Sequence, residues 1–204
     1  MTNGFTRRKA QSQEEIRKAA RDLFSQFGVE RVSIADIAHK AGVSQATIYN
    51  NFENKDALVR EFIADAVEQL LSRVQEVLES KQQYHEKMSA FIEFIAEMMA
   101  EQHFSPADRA LFSSSSDLQN DPEIKKVREE SQQKMIGLML GLMREGRLQG
   151  KVNPNLSDEA LTIYFSIFMA VFSNPELQPQ YNQNPALVKQ LGTMMLCGLS
   201  NPPG

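Results

Sequence analysis

The sequence predicts an all-α protein, and three observations carry that expectation. Apolar residues recur at spacings of three and four along most of the chain. No long alternating run of Val, Ile and Thr marks a strand. Several of the ten Gly and eight Pro fall where a helix should stop. With 204 residues, 42% of them hydrophobic and 24% charged, the chain can bury a real core, as one large domain or as one small and one larger.

Ile16, Ala19, Ala20, Leu23, Phe24 and Phe27 share one face of a first helix, and Gly28 follows as its C-terminal stop. Ser33 precedes Ile34, Ile37 and Ala38, with Asp36 three residues on, the pattern of an N-cap serine with an acidic residue in the first turn. Gly42 breaks this short helix. Ser44 starts the next, over Gln45–Asn51, with Ile48 and Phe52 facing inward. Asn54 caps a long helix from Lys55 to about Ser80.

A further helix is expected from about Gln83 to Glu101, with Met88, Phe91, Ile92, Ile95 and Met99 inward, and a shorter one near Pro106–Phe112. Residues 113–120 form a loop. Asp121-Pro122 is a strong helix start, since proline at the first helical position loses no needed hydrogen bond. That helix should reach about Arg144 and end at Gly146. Ser157 begins another over 158–172, and Asn184-Pro185 a last one ending near Gly198.

Charge is unevenly placed. The net charge is −4, yet residues 1–60 carry ten Lys/Arg against seven Asp/Glu, and residues 61–204 carry twelve against nineteen. A small module facing a polyanion, attached to an acidic body, would look like this. The lone Cys197 excludes an internal disulfide and suits a reducing compartment. No apolar run approaches the ~18 residues that span a bilayer, and the N-terminus lacks the apolar core of a secretory signal, so a cytoplasmic location without membrane contact is expected.

Residues 33–59, SIADIAHKAGVSQATIYNNFENKDALV, carry the functional signal. Two short helices crossing near a right angle need a small residue at the crossing and a turn that accepts unusual backbone angles. Ala38 and Gly42 supply these, and Ile34, Ile37, Val43 and Ile48 supply a core. The outer face of the second helix displays Gln45, Thr47, Tyr49 and Asn50, side chains suited to base edges and phosphates.

This segment resembles the DNA-binding domain of the tetracycline-repressor (TetR) family, whose pattern runs A-x-x-A-G-V-S and then T-x-Y-x-x-F-x-x-K-x-x-L. Ala38, Ala41-Gly42-Val43-Ser44, Thr47, Tyr49, Phe52, Lys55 and Leu58 stand at those positions, and Ala19, Leu23, Phe24 and Gly28 fit the family's preceding A-x-x-L-F-x-x-x-G. The motif match covers residues 13–60. Asn51 departs from it, standing where the family often has Tyr or His.

The resemblance implies an N-terminal three-helix helix-turn-helix domain over residues 10–60 and a larger helical effector-binding and dimerisation domain over 61–204. It assigns Gln45, Thr47 and Asn50 to base or groove contacts. Ser33, Ser44, Tyr49 and Lys55 become phosphate contacts, Lys55 beside a helix N-terminus whose dipole attracts an anion. Arg7, Arg8 and Lys9 read as a solvated tail, with a DNA-reaching arm as the rival.

Nine of the ten methionines and seven of the twelve phenylalanines lie at or beyond Met88. Methionine is flexible and polarisable, so it suits a pocket that adapts to apolar ligands. Phe91, Phe94, Met98, Phe104, Phe112, Met135, Met139 and Phe165 are the effector-binding candidates, although for any single one of them filling the core is the favoured reading. The 158–172 helix is apolar around most of its circumference, and Leu187, Leu191, Met194, Met195 and Leu199 form a seam on the last. By resemblance these two helices pair with their copies in a homodimer.

His39, His85, His103 and Cys197 show no close metal-ligand spacing, and no phosphate loop or nucleophile elbow is present, so neither cofactor nor enzymatic activity is expected. The leading reading is a ligand-responsive transcriptional repressor. Its two recognition helices would enter successive major grooves of a pseudo-palindromic operator, about 34–36 Å apart. A small hydrophobic or amphipathic effector would release it, with the 55–80 helix as lever. Two other readings are an architectural or division-linked DNA binder controlled by a protein partner, and a helical enzyme with no DNA role.

Overall fold

The computed structural model describes residues 3–99, 120–172, 174, 176–177, 180, 184–197 and 199. Eight helices are present among them, and no strand. They are α1 (Asn3–Phe27), α2 (Ile34–Ala41), α3 (Gln45–Asn51), α4 (Lys55–Leu78), α5 (Tyr84–Met99), α6 (Pro122–Leu148), α7 (Asp158–Phe172) and α8 (Pro185–Cys197). The expected helix near Pro106–Phe112 and most of the loop after it lie outside the described residues, as do Phe104 and Phe112 themselves.

The chain divides into two compact units. One comprises residues 3–67 with 120–125, the other 68–99 with the described residues from 126 onward.

In the first unit, α1 buries Ile16, Ala19, Ala20 and Phe24, and the Phe24 ring meets Phe62 of α4 at 5.3 Å between centroids. The helix begins at Asn3, well before its apolar pattern starts at Ile16. Residues 6–11 are exposed, so they carry no buried face for periodicity to report. Good helix formers hold them there, with Gln11 Nε2 donating to Glu15 Oε1 one turn on at 3.1 Å. Arg7, Arg8 and Lys9 thus sit on a helix. Phe27, expected on the inner face, is 50% exposed, because it is the last helical residue and Gly28 turns the chain away at φ +83°.

Ser33 caps α2 in a reciprocal box. Its Oγ accepts the Asp36 N–H at 3.2 Å, while its own N–H donates to Asp36 Oδ2 at 2.8 Å. These bonds from the Ser33 hydroxyl and backbone hold the Asp36 carboxyl below its ordinary range. Gly42 ends α2 at φ +68°, and the Val43 N–H reaches back to the Ala38 carbonyl at 3.0 Å. No atom lies within 4 Å of where a Gly42 Cβ would stand, so backbone angle, not space, requires glycine there.

The second unit is built on Val74, Leu78, Met88, Phe91, Met135, Met139, Met143, Leu161, Phe165 and Met195, all buried. Here α6 does not stop at Gly146. It runs through to Leu148, and Gly150 at φ +67° makes the turn. Gly146 has a packing role instead, because a Cβ there would lie 2.6 Å from the Tyr84 ring and 2.7 Å from Val152 Cγ2. Arg144 and Arg147, in the last turns of α6, both bind Asp158 in the first turn of α7, at 2.7 and 2.8 Å. The Tyr164 hydroxyl of α7 donates to the Met195 carbonyl of α8 at 2.9 Å.

Candidate nucleic-acid interface

Helix α3 has one buried residue, Ile48, and everything else it carries follows from fixing that contact. With Ile48 inward, Gln45, Ala46, Tyr49 and Asn50 are exposed, and Tyr49 presents 55% of its surface to solvent. Ser44 caps the helix, its Oγ accepting the Thr47 N–H at 3.1 Å and lying 2.8 Å from the Thr47 hydroxyl. The two hydroxyls therefore form one polar unit at the helix N-terminus. Asn51 turns back on its own helix, with Nδ2 donating to the Thr47 carbonyl at 2.8 Å.

The chain then passes Phe52, buried, and Asn54, whose Oδ1 accepts the Ala57 N–H at 2.9 Å and so caps α4. Lys55 is the first residue of α4, half-buried at the positive end of its dipole. Ser33 lies apart, with its hydroxyl donating to Asp36 Oδ2 at 2.6 Å. Six of the seven sequence-derived DNA contacts, from Ser44 to Lys55, thus lie within one short stretch, while Ser33 caps the preceding helix.

Sequence reasoning did not find what holds α3 in place. The Arg17 guanidinium of α1 lies 5.4 Å from the Phe52 ring centroid and donates through Nε to Glu61 Oε2 of α4 at 2.8 Å. Arg21 pairs with Asp65 at 2.9 Å in the same way. Arg60 donates to Asp121 Oδ2 at 2.8 Å, and the other oxygen of Asp121 caps α6 through the Glu123 and Ile124 N–H groups. Burial opposes ionisation of Asp121, yet the Ile124 N–H, Arg60 and the Glu123 N–H together hold its carboxyl below the ordinary range. Such pairs join residues 44 and 61 positions apart, which no local pattern reveals.

In the second unit, Phe91, Met135, Met139 and Phe165 are packed in the core, and Phe94 is partly buried beneath the Arg73 guanidinium at 4.7 Å. The Met98 side chain is outside the described set. An open groove of about 590 Å³ lies elsewhere on this unit, between α4, α5 and α6. Leu71, Leu78, Leu138 and Leu142 line it, together with Gln75, Glu79, Lys134 and the ion pair of buried Lys87 with partly exposed Glu145 at 2.7 Å. Burial next to Glu145 also pushes the Tyr84 hydroxyl up to about 12. No helix among the described residues is long and apolar enough to cross a membrane.

A short helix fixed by one buried residue, capped by serine and following a left-handed glycine turn, is the recognition element of a helix-turn-helix DNA-binding protein. Residues 16–62 match the family described as bacterial regulatory proteins, tetR family. The chain is 26% identical to the HTH-type transcriptional repressor KstR2 of Mycolicibacterium smegmatis, over 72% of this chain and 70% of that one. It is 23% identical to the fatty acid metabolism regulator protein of Bacillus subtilis, over 70% and 71% respectively. Among solved structures it is similar in fold to the transcriptional regulator FadR from Bacillus subtilis in complex with stearoyl-CoA. The TM-score is 0.59 at 20% identity, covering 90% of this chain and 95% of that one. Residues 16–62 thus match the tetR family, and the protein is a DNA-binding transcriptional regulator.

Proposed function

We propose that this protein is an effector-responsive repressor that binds its operator as a homodimer. The observation that carries the reading is α3: Ile48 is buried while Gln45, Tyr49 and Asn50 are exposed beside the paired Ser44 and Thr47 hydroxyls. Residues 10–60 form the DNA-reading domain and 61–204 the effector and dimerisation domain. Gln45, Thr47 and Asn50 read base edges, and Ser33, Ser44, Tyr49 and Lys55 bind phosphates. The dimer forms through α7 and α8, where Ile163, Ile167 and Met194 are 63%, 60% and 70% exposed.

The effector is a small amphipathic molecule taken up by the C-terminal body, against the methionine-rich stripe that includes Met135 and Met139. The FadR relative bound to stearoyl-CoA, a long acyl chain with a polar head, supports this class of ligand. Such a molecule releases the operator only to the extent that it prefers a conformation unable to bind it.

The test is selection of DNA fragments retained by the purified protein, followed by footprinting. Two protected half-sites about one helical turn apart are expected. Retention of no DNA at low salt would overturn the reading.

A further inference from the structure

Arg7, Arg8 and Lys9 precede the first carboxylate of the sequence, Glu14. All three cations are exposed, and they sit on α1, in one helix with the buried residues from Ile16 to Phe24. A basic run is most often plain solvated surface, so its placement decides whether it has a further role.

The contacts of α1 fix that placement. Arg21 pairs with Asp65 of α4 at 2.9 Å, and Arg17, one turn earlier, pairs with Glu61, one turn earlier in α4, at 2.8 Å. Moving toward the start of α1 is therefore moving toward the start of α4. The Arg17 guanidinium also lies 5.4 Å from the ring centroid of Phe52, the residue that ends α3. Counting back from the Arg17–Glu61 pair, α4 begins six residues earlier at Lys55, whereas α1 begins fourteen residues earlier at Asn3. At 1.5 Å per residue, α1 thus overhangs the start of α4 by about 12 Å. Arg7, Arg8 and Lys9 all lie in the overhang, on the side of the junction between α3 and α4.

The local electrostatics favour an anion from outside. The first turn of α1 carries no acidic residue, so its positive dipole end and the three cations add together. The nearest carboxylates along the helix are engaged, Glu14 by Arg17 at 4.0 Å and Glu15 by Gln11 at 3.1 Å.

We propose that Arg7, Arg8 and Lys9 form a second DNA contact, binding phosphates next to those met at the α3–α4 junction. This rests on α3 as the DNA-reading helix and adds a grip that carries no sequence information.

The experiment uses the full-length protein with two duplexes of equal length, the operator recovered by the selection above and a scrambled sequence. Affinity is measured against sodium chloride concentration, with hydroxyl-radical footprinting in parallel. The variants are the triple Arg7→Gln, Arg8→Gln, Lys9→Gln and the double Arg7→Lys, Arg8→Lys. Glutamine keeps a helix propensity close to that of Arg and Lys. The triple variant should bind both duplexes roughly 10- to 100-fold more weakly, and the slope of log affinity against log salt should flatten by about 0.9 per lost phosphate contact. At least two contacts per subunit should be lost. Its footprint should lose protected backbone positions beside those of α3 and keep the α3 positions. The double lysine variant should keep the wild-type slope, and every variant should melt as wild type does, since the substituted residues are exposed.

An unchanged slope and affinity in the triple variant would overturn the proposal. So would a loss confined to the operator duplex, a lysine variant as weak as the triple, or a lowered melting temperature, which would mark a structural role. The two readings separate in the wild type. Wild-type protein that binds neither duplex at low salt sinks the reading of α3 itself, whereas wild-type binding that the triple substitution leaves intact sinks the α1 contact alone.

Discussion

The two units of this protein resolve their polar and apolar groups in opposite ways. In the first, Ile16, Phe24, Ile37 and Ile48 are fully buried, and the ions pair along the surface as Arg17–Glu61, Arg21–Asp65 and Lys40–Asp22. In the second, Ile163, Ile167 and Met194 face solvent, while Lys87 and the Nε and Nη2 atoms of Arg128 are buried. The first unit pairs these ions along its surface and presents polar groups to a polar partner. The second leaves apolar surface outside and charge inside, an arrangement that other molecules would complete.

The largest expected effect probes the self-sufficient core. Phe24→Ala removes a ring that is fully buried against Phe62 and should cost about 3–5 kcal/mol, enough to unfold the DNA-reading unit of a marginally stable protein. Denaturant titration with DNA retention checks it; a loss below about 1 kcal/mol would mean this core is looser than its burial indicates.

Next in size is the exposed apolar face. Ile163→Glu together with Ile167→Glu should raise the dimer dissociation constant on the order of 100-fold while leaving the subunit folded, because neither side chain is core in the subunit. Sedimentation velocity reads the shift, and a dimer of unchanged strength would place the interface elsewhere.

Asp121→Ala removes a helix cap and the partner of Arg60, and should cost about 0.5–2 kcal/mol. The sign of its pH dependence is fixed by the lowered carboxyl. The native-state advantage of the ionised form is complete above the ordinary carboxylate value of 3.8 and is lost as pH falls through the lower native value. The stability gap between wild type and Asp121→Ala should therefore narrow on acidification. A gap that is constant from neutral pH to pH ~3 would show that the charge contributes nothing.

The smallest effects contrast one substitution in the two units. Gly42→Ala forces a Cβ into left-handed backbone and should destabilise by about 1–2 kcal/mol. Gly137→Ala, in mid-helix with nothing within 4 Å, should stabilise by about 0.5–1 kcal/mol. Thermal melts of both variants should shift in opposite directions.

The recognition region was readable because its determinants are local. A cap and the residue it binds are three positions apart, as with Ser33 and Asp36 or Ser44 and Thr47, and a left-handed turn needs a glycine at one position. Helix periodicity likewise marked Ile48 as inward and left Gln45 and Asn50 outward. The same reasoning missed the true end of α6, because a glycine that stops a helix and one that admits Tyr84 are identical in sequence.

By itself the sequence determined the helices, their caps, the glycine turn and the polar face of α3, since each depends on neighbours within a turn or two. Tertiary structure alone decided that Arg17 would brace Phe52 and Glu61, that Arg60 would find Asp121, and that Nε and Nη2 of the partly buried Arg128 would be shielded from solvent while Ile163 and Ile167 faced it. These outcomes depend on which helices meet and at what register, and that is set by the packing of whole side chains against one another across long stretches of chain.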